Sequence, residues 1–298
     1  MLTLDTWQDS QFDDVLAIDL ITHWAQVTPN AIAWKSEQAS LSWQQLAQLI
    51  QSKAKAMVQQ GVESGQVIAL VGKNSPELVL TYLASLTLGM TPALIAPAPE
   101  CTIVQKCQQV GARWRCQQTQ LDAPAQLTPI SQAQPMTSFH AASLVFTSGS
   151  TGHPKAVAHA SKAHLASAQG LLAEFEFTPT DIWLLSLPIY HVSGLGIIWR
   201  WLYRGACLQH ASDDLIADLA KVTHASLVAV QLARFLDAKG CREPNQLKRV
   251  LLGGSHIPFE LTQKASKAGI DTWLGYGMTE TASTVTAKRC DGTESAGR

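Results

Sequence analysis

One loop rich in glycine and hydroxyl residues constrains this chain more than any other segment. It follows the apolar residues 144–146, which read as a buried strand, and it ends at Pro154 and Lys155. Glycines let backbone N–H groups approach an anion, hydroxyls add donors, and a lysine adds a mobile positive charge. The sequence therefore predicts a polyphosphate-binding loop, for which ATP is the simplest ligand. Its candidate residues are Thr147, Ser148, Gly149, Ser150, Thr151, Gly152 and Lys155.

Two common functional loops do not fit this pattern. A Walker phosphate loop needs Gly-Lys-Ser/Thr at a helix start, whereas Gly152 is followed by His-Pro-Lys and Pro154 would interrupt a helix. A hydrolase nucleophile elbow needs Gly-x-Ser-x-Gly, which this loop lacks. A solvated Ser/Gly linker is the remaining alternative, but it does not account for the apolar runs on both sides.

Composition and charge exclude several classes of protein. The 298 residues are 46% hydrophobic, enough for an extensive core, and the net charge of −1 provides no global field for nucleic acid or an anionic membrane. The N-terminus lacks a basic segment followed by an apolar core, and no apolar run reaches membrane-spanning length. Six scattered cysteines indicate free thiols in a reducing compartment. We expect a cytoplasmic protein with no nucleic-acid partner and no transmembrane segment.

Strand-like and helix-like segments alternate along the chain, which is typical of an α/β fold. Ser42 and Gln45 have the spacing of a capping box, whereas residues 96–136 show weak periodicity and predict looser surface structure with one short helix. Strands are predicted at 31–35, 66–71, 91–95, 156–159, 181–187, 226–230, 248–252 and 271–274. Helices are predicted at 13–26, 42–61, 75–89, 101–110, 161–175, 194–203, 232–239 and 258–268. The alternation predicts layered, parallel sheets flanked by helices.

Two further glycine motifs follow predicted strands. The first, at 253–255, is a tight turn on which a flat base could lie, although a simple strand-to-helix turn explains the same residues. The second is a predicted loop at 275–280, where Tyr276 offers a face for adenine and the Thr279 hydroxyl can reach an α-phosphate. Glu280, a loop carboxylate beside a triphosphate, would coordinate Mg²⁺.

Two titratable residues follow the predicted strand at 181–187. His191 lies where ligands of α/β proteins usually bind, although packing is the commoner role of such a histidine. Arg200 lies among tryptophans in an apolar segment, and a buried arginine is costly unless it is paired. An anionic substrate group, a structural ion pair and a surface position all remain open for Arg200.

The residues at 147–155, Thr-Ser-Gly-Ser-Thr-Gly-x-Pro-Lys, resemble the signature loop of the adenylate-forming enzymes. That family contains acyl-CoA synthetases, luciferases and peptide-synthetase adenylation domains. Tyr-Gly-x-Thr-Glu follows about 130 residues later, as it does in the family, and Ala156 departs from the family's usual glycine. The resemblance implies the family's large AMP-binding domain over residues 1–298, with subdomains at 1–136 and 137–298.

The same resemblance implies roles for individual residues. The catalytic candidates are Lys155, His191, Thr279 and Glu280. The nucleotide-binding candidates beyond the phosphate loop are Gly254, Ser255, Gly275, Tyr276 and Gly277. In this family the segment that matches Gly254 and Ser255 packs against adenine, and the residue that matches His191 gates the acyl pocket.

Two longer segments, 165–236 and 275–283, closely resemble the o-succinylbenzoate:CoA ligases of menaquinone synthesis. This resemblance implies that a carboxylate of 2-succinylbenzoate attacks the α-phosphorus of MgATP, after which coenzyme A displaces AMP. Because the substrate is a dicarboxylate, Arg200 would hold the carboxylate that is not activated, with Ser193 and His191 also contacting the substrate. Another acyl- or aryl-CoA synthetase is the alternative among enzymes.

The resemblance covers the large N-terminal part of the family's proteins. Their small C-terminal domain, which carries a lysine that contacts the α-phosphate and the carboxylate, has no counterpart in residues 1–298. The sequence is therefore expected to be part of a longer chain or a natural truncation, and a nucleotide-binding module without full turnover stays open. The sequence does not determine the oligomeric state, and a homo-oligomer stays open as an alternative to a monomer.

Overall fold

The computed structural model describes residues 17–117, 126–130, 140–147, 154–238 and 246–290. Its helices are α1 (Ala17–Val27), α2 (Trp43–Gln59), α3 (Pro76–Thr87), α4 (Glu100–Gln109), α5 (Ser161–Leu172), α6 (Val192–Arg204), α7 (Leu215–Leu219), α8 (Ala229–Asp237) and α9 (Phe259–Lys267). Its strands are β1 (Ile32–Lys35), β2 (Ser40–Ser42), β3 (Val67–Val71), β4 (Thr91–Ile95), β5 (Ala112–Gln117), β6 (Gln126–Pro129), β7 (Ser143–Thr147), β8 (Lys155–His159), β9 (Ile182–Leu185), β10 (Cys207–His210), β11 (His224–Leu227), β12 (Arg249–Leu252), β13 (Asp271–Met278) and β14 (Ser283–Arg289). The chain forms two compact units.

Unit 1 comprises the described parts of Met1–Ala31, Ser42–Ala166 and Ile189–Val192. Its sheet has the order β6-β5-β3-β4-β7-β8, in which the inner strands are parallel and both edge strands are antiparallel. The predicted capping box of α2 is confirmed: the Gln45 backbone N–H donates to Ser42 Oγ, and the Ser42 N–H donates to Gln45 Oε1. The subdomain boundary predicted at 136/137 falls outside the described residues and stays a prediction.

Unit 2 comprises the described parts of Ile32–Leu41, Ser167–Pro188 and Ser193–Arg298. Its sheet has the order β14-β13-β12-β11-β9-β10-β1-β2 and is parallel from β1 to β13, with β14 antiparallel to β13. Apolar side chains of β11, β12, α8 and α9 form a buried core on this sheet. The predicted α/β class, with layered sheets flanked by helices, is confirmed.

Within 96–136, the predicted short helix at 101–110 is confirmed as α4, whereas the prediction of looser structure is wrong for the described residues 112–117 and 126–129. Strands β5 and β6 pair antiparallel there and form the edge of the sheet of unit 1. In β5 the apolar residues Ala112, Trp114 and Cys116 alternate with arginines, which is a strand period that the glutamine-rich composition obscured. Trp114 Nε1 also donates to Gln66 Oε1 at 2.6 Å, which ties this edge to the segment before β3.

A second error concerns the predicted strand at 226–230. Strand β11 ends at Leu227, and α8 begins at Ala229 because the Gln231 side chain accepts a hydrogen bond from the Val228 N–H at 3.0 Å. The short elements β10 and α7 were not predicted.

Two predictions from composition can be compared with the described residues. The predicted absence of disulfide bonds holds among the described residues for Cys101, Cys107, Cys116, Cys207 and Cys290, while Cys241 falls outside the described part. Each helix that the structure describes is too short or too polar to span a membrane.

A buried histidine in unit 2 makes stability depend on pH. His224 lies among Phe175, Phe177 and Trp183, with ring centroids 5.0–5.7 Å away, and its Nε2 donates to the Glu176 carbonyl oxygen at 2.9 Å. Its Nδ1 lies 2.8 Å from the Thr223 hydroxyl, so a neutral imidazole satisfies both contacts. Burial lowers the pKa of His224 to about 4.

We therefore expect stability to fall on acidification. Because the folded-state pKa lies below the unfolded value, protonation favours the unfolded chain, and the contribution of His224 is lost as the pH drops from about 6.5 towards 4. The free energy of unfolding should fall by about 2 kcal/mol between about pH 7 and pH 5 through His224. Urea unfolding of the unaltered chain and of His224→Gln at both pH values measures it. Equal losses in the two proteins would show that His224 is not responsible.

Candidate functional site

The root of the predicted phosphate loop lies in unit 1. Thr147, the last residue of β7, and Lys155, the first residue of β8, are partners in an antiparallel ladder. This pairing brings two of the candidate residues side by side. The other five, Ser148, Gly149, Ser150, Thr151 and Gly152, lie outside the described residues and stay predictions.

His191 also belongs to unit 1. The short segment that carries it is held by the Ile189 N–H, which donates to Asn74 Oδ1 at 2.9 Å. The His191 ring stands edge-on to Tyr190, with ring centroids 4.8 Å apart, and part of it is exposed. Burial of the remainder lowers the pKa of His191 below its ordinary value. The imidazole is therefore mainly neutral at pH 7 and can accept as well as donate a hydrogen bond.

The first turn of α6 requires glycine for steric reasons. A Cβ atom at Gly194 would lie 2.2 Å from the Pro188 carbonyl oxygen, which no side chain tolerates. Ser193, the residue before it, is half-buried. Gly196 is similarly crowded, because a Cβ there would lie 2.6 Å from Ser283 Oγ and 3.1 Å from a guanidinium nitrogen of Arg200.

Arg200 is buried in the middle of α6, with 1% of its surface exposed. Its Nη2 donates to Thr284 Oγ1 at 2.9 Å and to Ser283 Oγ at 3.3 Å. The guanidinium carbon lies 5.5 Å from the centroid of the buried Trp183 ring. The surface position left open for Arg200 is thereby excluded.

The charge of Arg200 is not neutralised by a carboxylate in the part of the chain that the structure describes. The ion pairs found there involve other residues, and Arg200 Nε has no hydrogen-bond partner. Burial lowers the pKa of Arg200 to about 9, which expresses the cost of removing a cation from water. An anion bound to this guanidinium would offset the free energy that its desolvation costs.

The two glycine motifs of unit 2 are neighbours in space. Strands β12 and β13 are parallel, with Leu252 opposite Leu274, so the residues that follow each partner lie at the same edge of the sheet. A cavity of about 560 Å³ opens there and is lined by Ser255, Gly275 and Tyr276, among others. Gly254 precedes Ser255 with a left-handed φ of +87°. Tyr276 is 63% exposed, so one face of its ring is available for a planar ligand.

The predicted loop at 275–280 is partly wrong. Strand β13 continues to Met278, and a 3₁₀ turn at Thr279–Thr281 follows. The strand persists because β14 pairs with it and supplies the hydrogen bonds that a loop would lack, with one irregularity between Tyr276 and Gly277. Thr279 and Glu280 therefore lie on the turn that connects β13 to β14, and Glu280 is exposed.

The turn ends in strained backbone. Ala282 has a φ of +56° and Ser283 a φ of +128°, both unusual for residues other than glycine. This geometry directs the chain from Glu280 to the two hydroxyls that contact Arg200. No role for Ser283 or Thr284 was predicted, and the only signal was that Ser283 belongs to the family-like run at 275–283.

The donor set favours a magnesium ion shared with a ligand over a protein-enclosed metal. Among the described residues no cluster of three or more His, Cys, Asp or Glu side chains could hold a metal ion. Magnesium commonly takes one or two carboxylates together with substrate phosphates and water. A single exposed carboxylate, such as that of Glu280, fits that pattern.

Comparison with known proteins identifies the family of this chain. The family model described as AMP-binding enzyme matches residues 21–298. The 2-succinylbenzoate–CoA ligase of Salmonella typhimurium is 42% identical over 285 residues, which are 92% of this chain and 62% of that protein. The same ligase of Haemophilus influenzae is 42% identical over 272 residues, with 90% and 60% covered. The chain thus spans about 60% of the length of these curated relatives.

Solved structures show the same fold. A variant of Escherichia coli MenE with bound OSB-AMS superimposes with a TM-score of 0.79 at 38% identity, covering 92% of this chain and 63% of that one. Wild-type Escherichia coli MenE, with a phenylether-linked analogue of OSB-AMS bound, gives a TM-score of 0.78 at 38% identity, with 91% and 62% covered. Since the family match includes nearly all of its residues, this chain belongs to the AMP-binding enzyme family.

Proposed function

We propose that this chain carries the ATP- and acyl-binding groups of an AMP-forming 2-succinylbenzoate–CoA ligase of menaquinone biosynthesis, acting in the cytoplasm. The proposal rests mainly on one observation: Arg200 is a buried cation that has no carboxylate partner among the described residues. A substrate with a second carboxylate would supply the missing charge, and a guanidinium can bind it through two parallel hydrogen bonds. The identity of 42% to such ligases supports this substrate.

The residues of the predicted nucleotide motifs would bind ATP. The loop from Thr147 to Lys155 would bind the phosphates, with Lys155 adding positive charge. In unit 2, Tyr276, Gly254, Ser255 and Gly275 would hold adenine at the cavity of about 560 Å³. Gly277, which has no side chain, would leave space for the nucleotide next to Tyr276. The Thr279 hydroxyl would donate to the α-phosphate. Glu280 would bind Mg²⁺, which would neutralise triphosphate charge when bound.

The proposed chemistry has two steps. A carboxylate oxygen of 2-succinylbenzoate attacks the α-phosphorus of ATP and pyrophosphate leaves, which forms the acyl-adenylate. The thiolate of coenzyme A then attacks the acyl carbon and AMP leaves. The protein groups position the reactants and offset negative charge, so no covalent enzyme intermediate is needed. His191, mainly neutral at pH 7, would lie beside the acyl group together with Ser193.

Binding of two non-hydrolysable acyl-adenylate mimics to the 298-residue chain tests this proposal. One mimic carries the o-succinylbenzoyl group, and the other is identical except that the ring carboxylate is absent. We expect calorimetry to show about 10- to 100-fold tighter binding of the dicarboxylic mimic, the range for a hydrogen-bonded charged group.

Other outcomes contradict parts of the proposal. Equal binding of the two mimics would exclude recognition of the second carboxylate and would indicate a simpler acid as the substrate. Failure of both mimics to bind would exclude a functional adenylate site in this chain.

A further inference from the structure

Helix α4 packs against both strands that bound the phosphate loop. Its residues Ile103 and Cys107 belong to a buried apolar cluster that includes Leu144 of β7. Phe146 and Ala156, which are ladder partners on β7 and β8, pack against the same cluster. All these residues lie in unit 1. Helix α4 thus shares one apolar cluster with the end of β7 and the start of β8.

Two polar side chains of α4 contact β7 and the residue that precedes β8. Lys106 Nζ lies 5.1 Å from the centroid of the Phe146 ring, one residue before Thr147. Gln109 Nε2 donates a hydrogen bond of 2.8 Å to the carbonyl oxygen of Pro154, one residue before Lys155. These contacts join residues about 40 positions apart in sequence, and each ends beside a candidate phosphate-binding residue.

The contact of Gln109 fixes geometry more than it adds stability. Its side chain is exposed, so water competes for the amide and the net gain in folding free energy is small. Proline has no N–H, so the carbonyl is the only backbone hydrogen-bonding group of Pro154. Anchoring that carbonyl orients the peptide plane between Pro154 and Lys155, which contains the Cα atom that carries the Lys155 side chain.

We propose that Gln109 is a positioning residue of the phosphate site, which aims Lys155 through the carbonyl of Pro154. The inference rests on the proposed nucleotide-binding function of the loop. Gln109 touches neither nucleotide nor substrate in this role. Its loss should weaken binding of a polyphosphate and leave binding of the nucleoside unchanged, because Lys155 acts on phosphates alone.

Gln109→Leu tests the inference, since leucine is similar in size and removes the donor. Gln108→Leu is the matched control, because Gln108 lines the same shallow groove with Gln105, Gln109 and Pro154 but has no hydrogen bond to Pro154. Calorimetric titrations of MgATP and of adenosine give the two affinities for each variant. We expect about fivefold weaker MgATP binding for Gln109→Leu, less than about twofold change for adenosine, and no change for Gln108→Leu. Gln109→Ala should repeat the result.

Three results would overturn the inference. If the unaltered chain binds MgATP and Gln109→Leu binds it equally well, the positioning role of Gln109 is excluded, and the proposed nucleotide-binding function is not affected. If MgATP and adenosine weaken together and the melting temperature falls, Gln109 has a structural role. If the unaltered chain binds neither ligand, the proposed function itself fails, and the inference fails with it.

Discussion

Gly277→Ala is expected to destabilise unit 2 by about 3 kcal/mol, because the added methyl group has no space. A Cβ atom at this position would lie 1.8 Å from the Ser283 carbonyl oxygen and 2.6 Å from its carbonyl carbon. Both are backbone atoms of β14, which pairs with β13, so no rotamer change relieves the overlap. Urea unfolding followed by circular dichroism measures the loss.

Gly170→Ala provides the matched control. Gly170 lies in α5, and a Cβ atom there would have nothing within 4 Å. Alanine is the better helix former, so this variant should gain about 0.5–1 kcal/mol. A Gly277→Ala protein that unfolds within about 0.5 kcal/mol of the unaltered chain, a change typical of neutral surface sites, would contradict the steric argument.

The crowding at Gly277 affects more than stability. The backbone of Ser283 would overlap with the methyl group of an alanine at position 277, and the Ser283 hydroxyl accepts a hydrogen bond from Arg200. Its strained φ of +128° persists because the hairpin of β13 and β14 holds it. A shift of Ser283 away from an alanine at 277 would therefore displace the Arg200 guanidinium. The predicted contact of Gly277 with nucleotide stays a prediction, whereas its steric role follows from the structure.

Local signals in the sequence predicted most of the elements. The capping box at Ser42 and Gln45 involves residues three apart, and its two hydrogen bonds formed as predicted. The apolar runs of β3 and β4 identified buried parallel strands. In β5 the alternation of apolar and polar residues indicates a strand, but the glutamine-rich composition of the surrounding segment obscures it.

Contacts between residues distant in sequence could not be predicted in this way. Thr284 and Ser283 meet Arg200 across more than 80 residues, through the packing of α6 against the end of a hairpin. Periodicity reports which face of an element is buried but not which partner covers it. For the same reason the sequence left open whether Arg200 was paired, exposed or free to bind a ligand. The burial of Arg200 excludes the exposed position, and the absence of a carboxylate partner among the described residues argues against a structural ion pair.

Arg200→Met is expected to separate binding from stability. Methionine is neutral and flexible enough to fill the buried space, and removing an uncompensated buried charge costs little or even stabilises the fold. The melting temperature should therefore be unchanged or higher, although Ser283 and Thr284 lose a hydrogen-bond donor. Affinity for the dicarboxylic acyl-adenylate mimic should fall about 10- to 100-fold, while affinity for ATP should stay within about twofold.

Arg204→Met is the control for this variant, because Arg204 lies one turn further along α6 and donates to the Leu172 carbonyl oxygen at 3.1 Å. It should lower stability slightly and leave the preference for the dicarboxylic mimic intact. If Arg200→Met loses ATP and acyl mimic equally, or if it unfolds at a much lower temperature, Arg200 is a structural residue. A selective loss with a melting temperature that does not fall would instead mean that the protein retains a costly buried cation for its ligand, since stability alone gives no reason to keep it.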